Sequence, residues 1–230
     1  MTIFDQVMQE EYDRWGIHPP EHAWCAPEQT RREVEFLKIA LDLRPSATIL
    51  DLQCSWGRHA LMLGAEGYTV MGVDISPTMI ANATRAATRP QCPATFAVVD
   101  VRTMDYVSHF DVVYQIQSSL FEAWRPPSTV GELLRAVWNA LKPRGQYVFG
   151  WKDDWNTAKG AEPRWRQILT KKGITTFDSC ALPFYAYDAM THTQILRDAG
   201  FTVLTMHNRY APDERYDPRK PGLIIIARKE

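Results

Sequence analysis

Residues 47–77, ATILDLQCSWGRHALMLGAEGYTVMGVDISP, read as strand, tight turn, helix, strand and closing acid, and no other stretch restricts the fold as much. Ile49, Leu50 and Leu52 form a short apolar run bounded by turn residues, as expected of a strand buried on both faces of a parallel sheet. Gln53 to Gly57 supply the turn. Arg58 to Glu66 carry Leu61, Met62 and Ala65 at helical spacing, and Gly67 follows as a C-terminal glycine. Tyr68 to Val73 return as a second strand ending on Asp74. A carboxylate at that strand end, about twenty residues past the turn, is placed to accept hydrogen bonds from ribose hydroxyls. The unit is half of a nucleotide-binding βαβ arrangement.

The flanking sequence extends the alternation. Glu28 to Leu43 carry Val34, Phe36, Leu37, Ala40 and Leu41, the buried stripe of a helix. Ser76 and Pro77 form a helix start, cap then first turn, and Met79 to Ala87 continue it. Thr95 to Val99 predict a third strand followed by Asp100, and Phe110 to Ile116 a fourth. A helix over Glu132 to Leu141, a KPRG turn and a strand over Gln146 to Trp151 come next. Asp188 to Ala199 read as a helix stopped by Gly200, and Phe201 to His207 with Gly222 to Ala227 as a closing antiparallel pair. Asp51, Asp74 and Asp100 thus each stand at the carboxyl end of a successive strand, the edge along which open α/β sheets bind ligands.

Composition removes several alternatives. A chain of 230 residues, 45% hydrophobic, supports one domain with a sizeable core. A formal net charge of −1 and scattered Arg135, Lys142 and Arg144 argue against nucleic acid as the main partner. The N-terminal MTIFDQVMQEEYDRWG has acids and no apolar core, and no run reaches membrane-spanning length, so no membrane partner and a cytoplasmic location are expected. Cys25, Cys54, Cys92 and Cys180 are far apart and predict neither zinc site nor disulfide. No metal-ligand spacing or nucleophile motif occurs, so no metal is expected.

At LDLQCSWGRHA followed by GYTVMGVDISPTMI the chain resembles the class I S-adenosylmethionine (SAM) dependent methyltransferases. Asp51, Gly57 and Asp74 match their acid, third glycine and ribose acid, whereas Gln53 and Ser55 replace the first two glycines. The resemblance implies a Rossmann-like, doubly wound, seven-stranded and mostly parallel sheet with helices on both faces and an antiparallel C-terminal strand. It implies one domain over residues 1–230, with a lid segment at 1–27 and a substrate-side insertion at 152–187. SAM is the implied cofactor. Asp51 would orient its amino group, Asp74 its ribose and Asp100 its adenine, with Val101 beside the ring. Gln53, Ser55, Gly57 and His59 would lie near the amino-acid tail, His59 serving either structure or tail binding. Ile75, Met79, Gln115 and Trp15 complete the cofactor side. Tyr12, Trp15 and Trp24 either pack on the domain or line the sulfonium. Tyr12, Gln115 and Ser118 are the candidates for the catalytic, substrate-facing side, and Tyr210 and Tyr216 either reach the site or lie on the surface.

Three activities are compatible with this pattern. The first is transfer of the SAM methyl group to an O, N or C nucleophile of a small molecule, by a monomer or homodimer in biosynthesis. Methyl transfer is an in-line displacement at an already activated carbon, so positioning and desolvation suffice. In the second, side chains at Gln53 and Ser55 bend the tail so that SAM alone cyclises to azetidine-2-carboxylate and releases methylthioadenosine. In the third, the altered turn leaves a non-catalytic SAM-binding protein.

Overall fold

The computed structural model describes residues 10, 26–88, 92–116, 127–151, 189–220 and 222–230. In chain order the elements are α1 (Pro27–Ala40), β1 (Thr48–Leu52), α2 (Arg58–Ala65), β2 (Thr69–Asp74), α3 (Pro77–Ala87), β3 (Ala94–Val98), β4 (Phe110–Ile116), α4 (Pro127–Ala140), β5 (Leu141–Trp151), α5 (Ala189–Asp198), β6 (Phe201–His207) and β7 (Leu223–Lys229). They build one seven-stranded sheet in the order β3-β2-β1-β4-β5-β7-β6. β1 pairs in parallel with both β2 and β4, and β7 runs antiparallel to both β5 and β6. The chain leaves β1 toward β2 and β3, then returns to β4 on the opposite side. That reversal opens a crevice beyond the carboxyl ends of β1 and β4, where doubly wound sheets take their ligands.

Alternation along β1 distributes its side chains between two cores. Leu50 and Leu52 join Val113, Tyr147 and Phe149 beneath Leu133 and Val137 of α4 and Leu196 of α5. Ile49 joins Val112, Val148, Ile224 and Ile226 beneath Val34, Phe36 and Leu37 of α1 and Leu63 of α2. Each such fully buried aliphatic side chain contributes roughly 2 kcal/mol of apolar burial, and together they clamp the strands whose ends carry the acids. Asp51 is one step beyond Ile49 on the same face and directly opposite Tyr114 of β4.

Two segments differ from the sequence expectation. β5 begins at Leu141 because the KPRG turn is enclosed within the strand as an irregularity. Leu141 pairs with Phe110, the next partner of β4 is Gln146, and Arg144 takes φ +64°. α4 begins at Pro127 rather than Glu132, since proline is a favoured first-turn residue. The β6–β7 connection is held by Asn208, whose side-chain nitrogen donates to the carbonyls of Asp217, Lys220 and Gly222 while its oxygen accepts from Asp217 N–H at 2.6 Å. Among the described residues no helix is long and apolar enough to cross a membrane.

Candidate cofactor site

The turn after β1 keeps left-handed backbone at three alternating residues: Gln53 at φ +56°, Ser55 at +55° and Gly57 at +76°. Glycine adopts this region without penalty, whereas an L-residue pays roughly 1 kcal/mol. The replacements at Gln53 and Ser55 therefore add side chains and leave the left-handed path in place. At Gly57 a side chain is also excluded sterically, because a Cβ would meet the Phe96 ring at 2.5 Å. The turn is tied down by Cys54 N–H donating to Val73 C=O at 3.0 Å and by Gly57 N–H donating to Cys54 C=O at 2.8 Å. Asp74 completes the fastening. Its Oδ2 accepts from Ser55 N–H at 2.9 Å and its Oδ1 from Ser76 N–H at 3.0 Å.

Asp51 is only 2% exposed, and its Oδ2 has no hydrogen-bond partner. The hydroxyl of Tyr114 beside it likewise has no partner in hydrogen-bond geometry, although it lies close enough to the carboxylate for its donor to lower Asp51. Burial, reinforced by the charge of Asp74, pushes Asp51 up to about 7, against the opposing pull of Tyr114, Arg58 and the Ala60 N–H. A third buried atom of the group, Arg58 Nη2, is likewise without a partner.

Arg58 is positioned through its other nitrogen, Nη1, which donates to Glu33 Oε2 at 2.5 Å and to Thr30 Oγ1 at 2.8 Å. Glu33 is fully buried in α1, where His59 Nε2 also meets its Oε2 at 2.7 Å. Burial alone would raise Glu33, but hydrogen bonds and charge from His59 and Arg58 outweigh it and hold the acid at about 2. Burial and the neighbouring Arg58 charge lower His59 to about 4, so at neutral pH it is an uncharged donor. With its ring edge against Tyr114 and its Nε2 on Glu33, His59 takes part in the packing of α2 on α1.

On the opposite sheet face a second polar group spans the crevice. Tyr147 O–H of β5 donates to Gln115 Oε1 at 2.9 Å, and Gln115 Nε2 of β4 donates to Gln53 Oε1 at 2.7 Å. Ser55 lies with its hydroxyl 2.9 Å from the sulfur of fully buried Met79. Ser76 caps α3 by accepting from Met79 N–H, as its sequence predicts, and Ile75 between the acid and the cap is half-buried. Asp100 follows β3 closely, but its carboxylate is forked by Arg102, with Nε at 2.8 Å and Nη2 at 2.6 Å. Val101 beside it is buried in the core.

The structure therefore gathers Asp51, Gln53, Ser55, Gly57, Asp74 and Gln115 at one sheet edge and sets His59 behind them. Tyr12, Trp15, Trp24, Ser118 and the 152–187 insertion lie outside the described residues. Tyr210 and Tyr216 pack inward, Tyr210 edge-on to Phe36 at 5.6 Å and Tyr216 against the core under α4. Three neighbours were not singled out from sequence: Arg58, Tyr114 and Tyr147. The signal for Tyr114 was a polar ring inside the apolar run FDVVYQI, and for Arg58 its place one residue after the last turn glycine.

This sheet order, a crevice at the β1–β4 reversal and strand-end acids define a nucleotide-type cofactor domain of α/β class. Residues 49–145 match the methyltransferase domain family, in line with the sequence's resemblance to the class I SAM-dependent methyltransferases. It is similar to phosphoethanolamine N-methyltransferase 3 of Arabidopsis thaliana, 29% identical over 178 residues, which cover 76% of this chain and 32% of that protein. It is also similar to the carboxy-S-adenosyl-L-methionine synthase of Chromohalobacter salexigens, 29% identical over 167 residues covering 66% of this chain and 58% of that one. The chain spans about a third of the length of the plant relatives it matches. The same fold occurs in the 1,6-didemethyltoxoflavin-N1-methyltransferase of Burkholderia thailandensis, solved with S-adenosylhomocysteine bound. The TM-score is 0.67 at 18% identity, over 98% of this chain and 88% of that one.

Proposed function

We propose that the chain is a SAM-dependent methyltransferase acting on an O, N or C nucleophile of a small molecule. The observation that carries this reading is the pair of orphaned buried atoms of opposite character, Asp51 Oδ2 and Arg58 Nη2. A buried polar atom without a partner costs about 1–3 kcal/mol, and a zwitterionic amino-acid end, ammonium and carboxylate together, supplies a partner to each. The residues present therefore fit the cofactor. Asp51 accepts from the ammonium and Arg58 donates to the carboxylate. Asp74 accepts from the ribose hydroxyls on lone pairs beyond those its two backbone donors use. Asp100 faces the adenine amino group with Val101 beside the ring, and Ile75, Met79, Gly57 and Ser55 shape the floor.

When bound, SAM supplies a methyl group on a positively charged sulfur, electrophilic without further activation. The chain's remaining work is to orient the acceptor and exclude water. We assign Tyr12, Gln115 and Ser118 to the acceptor side and Trp15 to the cover over the cofactor. The N-methyltransferase names of the Arabidopsis and Burkholderia proteins make an amine the first acceptor class to assay.

Titration calorimetry with SAM tests the assignment. Asp74→Ala is expected to weaken binding more than tenfold, about 1.4 kcal/mol or more, and an unchanged affinity would remove the ribose assignment. Mass spectrometry of the adenosine products then separates the reactions. S-adenosylhomocysteine formed with an acceptor supports methyl transfer, whereas methylthioadenosine formed from SAM alone replaces it with cyclisation. Bound SAM left intact with every acceptor class would favour a non-catalytic binder.

A further inference from the structure

Val99 N–H donates to Asp74 C=O at 2.9 Å, so the turn after β3 starts directly beside the proposed ribose acid. Thr103 closes that turn, its N–H and its hydroxyl both donating to Asp100 C=O, at 2.9 and 3.2 Å. Arg102 is thereby folded back over the Asp100 carboxylate. Its backbone N–H donates to Oδ1 at 3.0 Å, its Nε is shared between Oδ1 at 2.8 Å and Oδ2 at 3.0 Å, and its Nη2 reaches Oδ2 at 2.6 Å. An ionised carboxylate has about four lone-pair directions, and these contacts take all of them. A further donor is received only by displacing one. The guanidinium is the part that can leave, since the Arg102 and Asp100 side chains are 24% and 28% exposed, whereas the backbone contact belongs to the turn.

We propose that Arg102, acting through Asp100 as a positioning residue, competes with the adenine amino group for that carboxylate and so sets how strongly the site reads the base. This rests on the SAM reading above and deepens it. For the amino group to donate to Asp100, the guanidinium has to give up at least one contact, so the new hydrogen bond is offset by the loss of a charge-assisted one. The chain then holds the nucleoside mainly by its other contacts and discriminates weakly at position 6 of the purine. Removing Arg102 strengthens base recognition, a sign opposite to that expected when a residue that grips the ligand is lost.

The test uses the full chain and two uncharged probes in titration calorimetry, 5′-methylthioadenosine and its 6-deamino purine counterpart. Neither carries the sulfonium, so loss of the Arg102 charge does not change their affinity by relieving repulsion. Arg102→Ala is expected to tighten methylthioadenosine about two- to fivefold, the scale of one partly exposed ion pair, and to leave the deamino probe unchanged. The preference for the amino group then rises by the same factor. Adding Asp100→Asn is expected to abolish the gain, which a general change in packing would not do. Methylthioadenosine affinity that is unchanged or weaker in Arg102→Ala, equal tightening of both probes, or a gain that survives Asp100→Asn overturns the proposal and leaves the cofactor reading standing. A wild-type chain that binds neither SAM nor methylthioadenosine overturns both.

Discussion

Asp51 and Asp100 occupy equivalent places, each at the carboxyl end of a parallel strand, yet their surroundings are opposite. Asp51 is buried, keeps one oxygen without a partner and is pushed up to about 7. Asp100 is half-buried and gripped on both oxygens by Arg102 two residues on. A strand-end acid is therefore not a ligand site by position. Hydrogen-bonding demand differs between them: one oxygen of Asp51 is unmet, whereas Arg102 already engages both oxygens of Asp100, so the proposed adenine contact there has less to gain.

The largest test of that contrast is substitution of each acid by its amide. Asp51→Asn is expected to weaken SAM by tenfold to a hundredfold, about 1.5–3 kcal/mol for a hydrogen bond to a charged group, and Asp100→Asn by only a few-fold. Equal losses in calorimetry would erase the distinction. Protonation offers the next test. The proposed ammonium contact requires ionised Asp51, so binding is expected to weaken about fivefold from pH 7 to pH 6 in the wild type and to stay flat in Asp51→Asn.

Stability without ligand carries a related signature. His59 has a folded value near 4, below its ordinary 6.5, so it contributes stability that is lost as pH falls from 6.5 through 4. Asp51, raised from 3.8 to about 7, works in the opposite direction and costs stability as pH rises over much the same interval. The two slopes offset in the wild type. Asp51→Asn is expected to expose the His59 slope, stability rising by up to about 3 kcal/mol between pH 4 and 6.5 in urea melts at fixed ionic strength. The smallest effect belongs to the satisfied acid. Arg102→Ala breaks a partly exposed ion pair and is expected to change stability by less than about 1 kcal/mol.

Periodicity made most of the scaffold legible. Phe110–Ile116 and Phe201–His207 have the bounds their sequence predicts, and the βαβ unit is in place to within a residue or two. The strand-end acids were visible for the same reason, as charges ending apolar runs. Arg58 and Tyr114 were not, since their roles come from cross-strand adjacency and from what lies behind a helix. Local spacing does not encode which residue of β4 faces Asp51. The chain from Tyr147 through Gln115 to Gln53 was hidden likewise, because it joins three strands distant in sequence.

The left-handed turn has one more consequence, mechanical rather than chemical. Gln53 and Ser55 would relax to negative φ if released, so the turn behaves as a loaded spring, and Asp74 is part of its latch through Ser55 N–H. The residue assigned to grip the ribose thus also keeps the floor beneath the amino-acid tail from unwinding. In the proposed site, a load on the ribose end would therefore pass to the tail end through a single carboxylate.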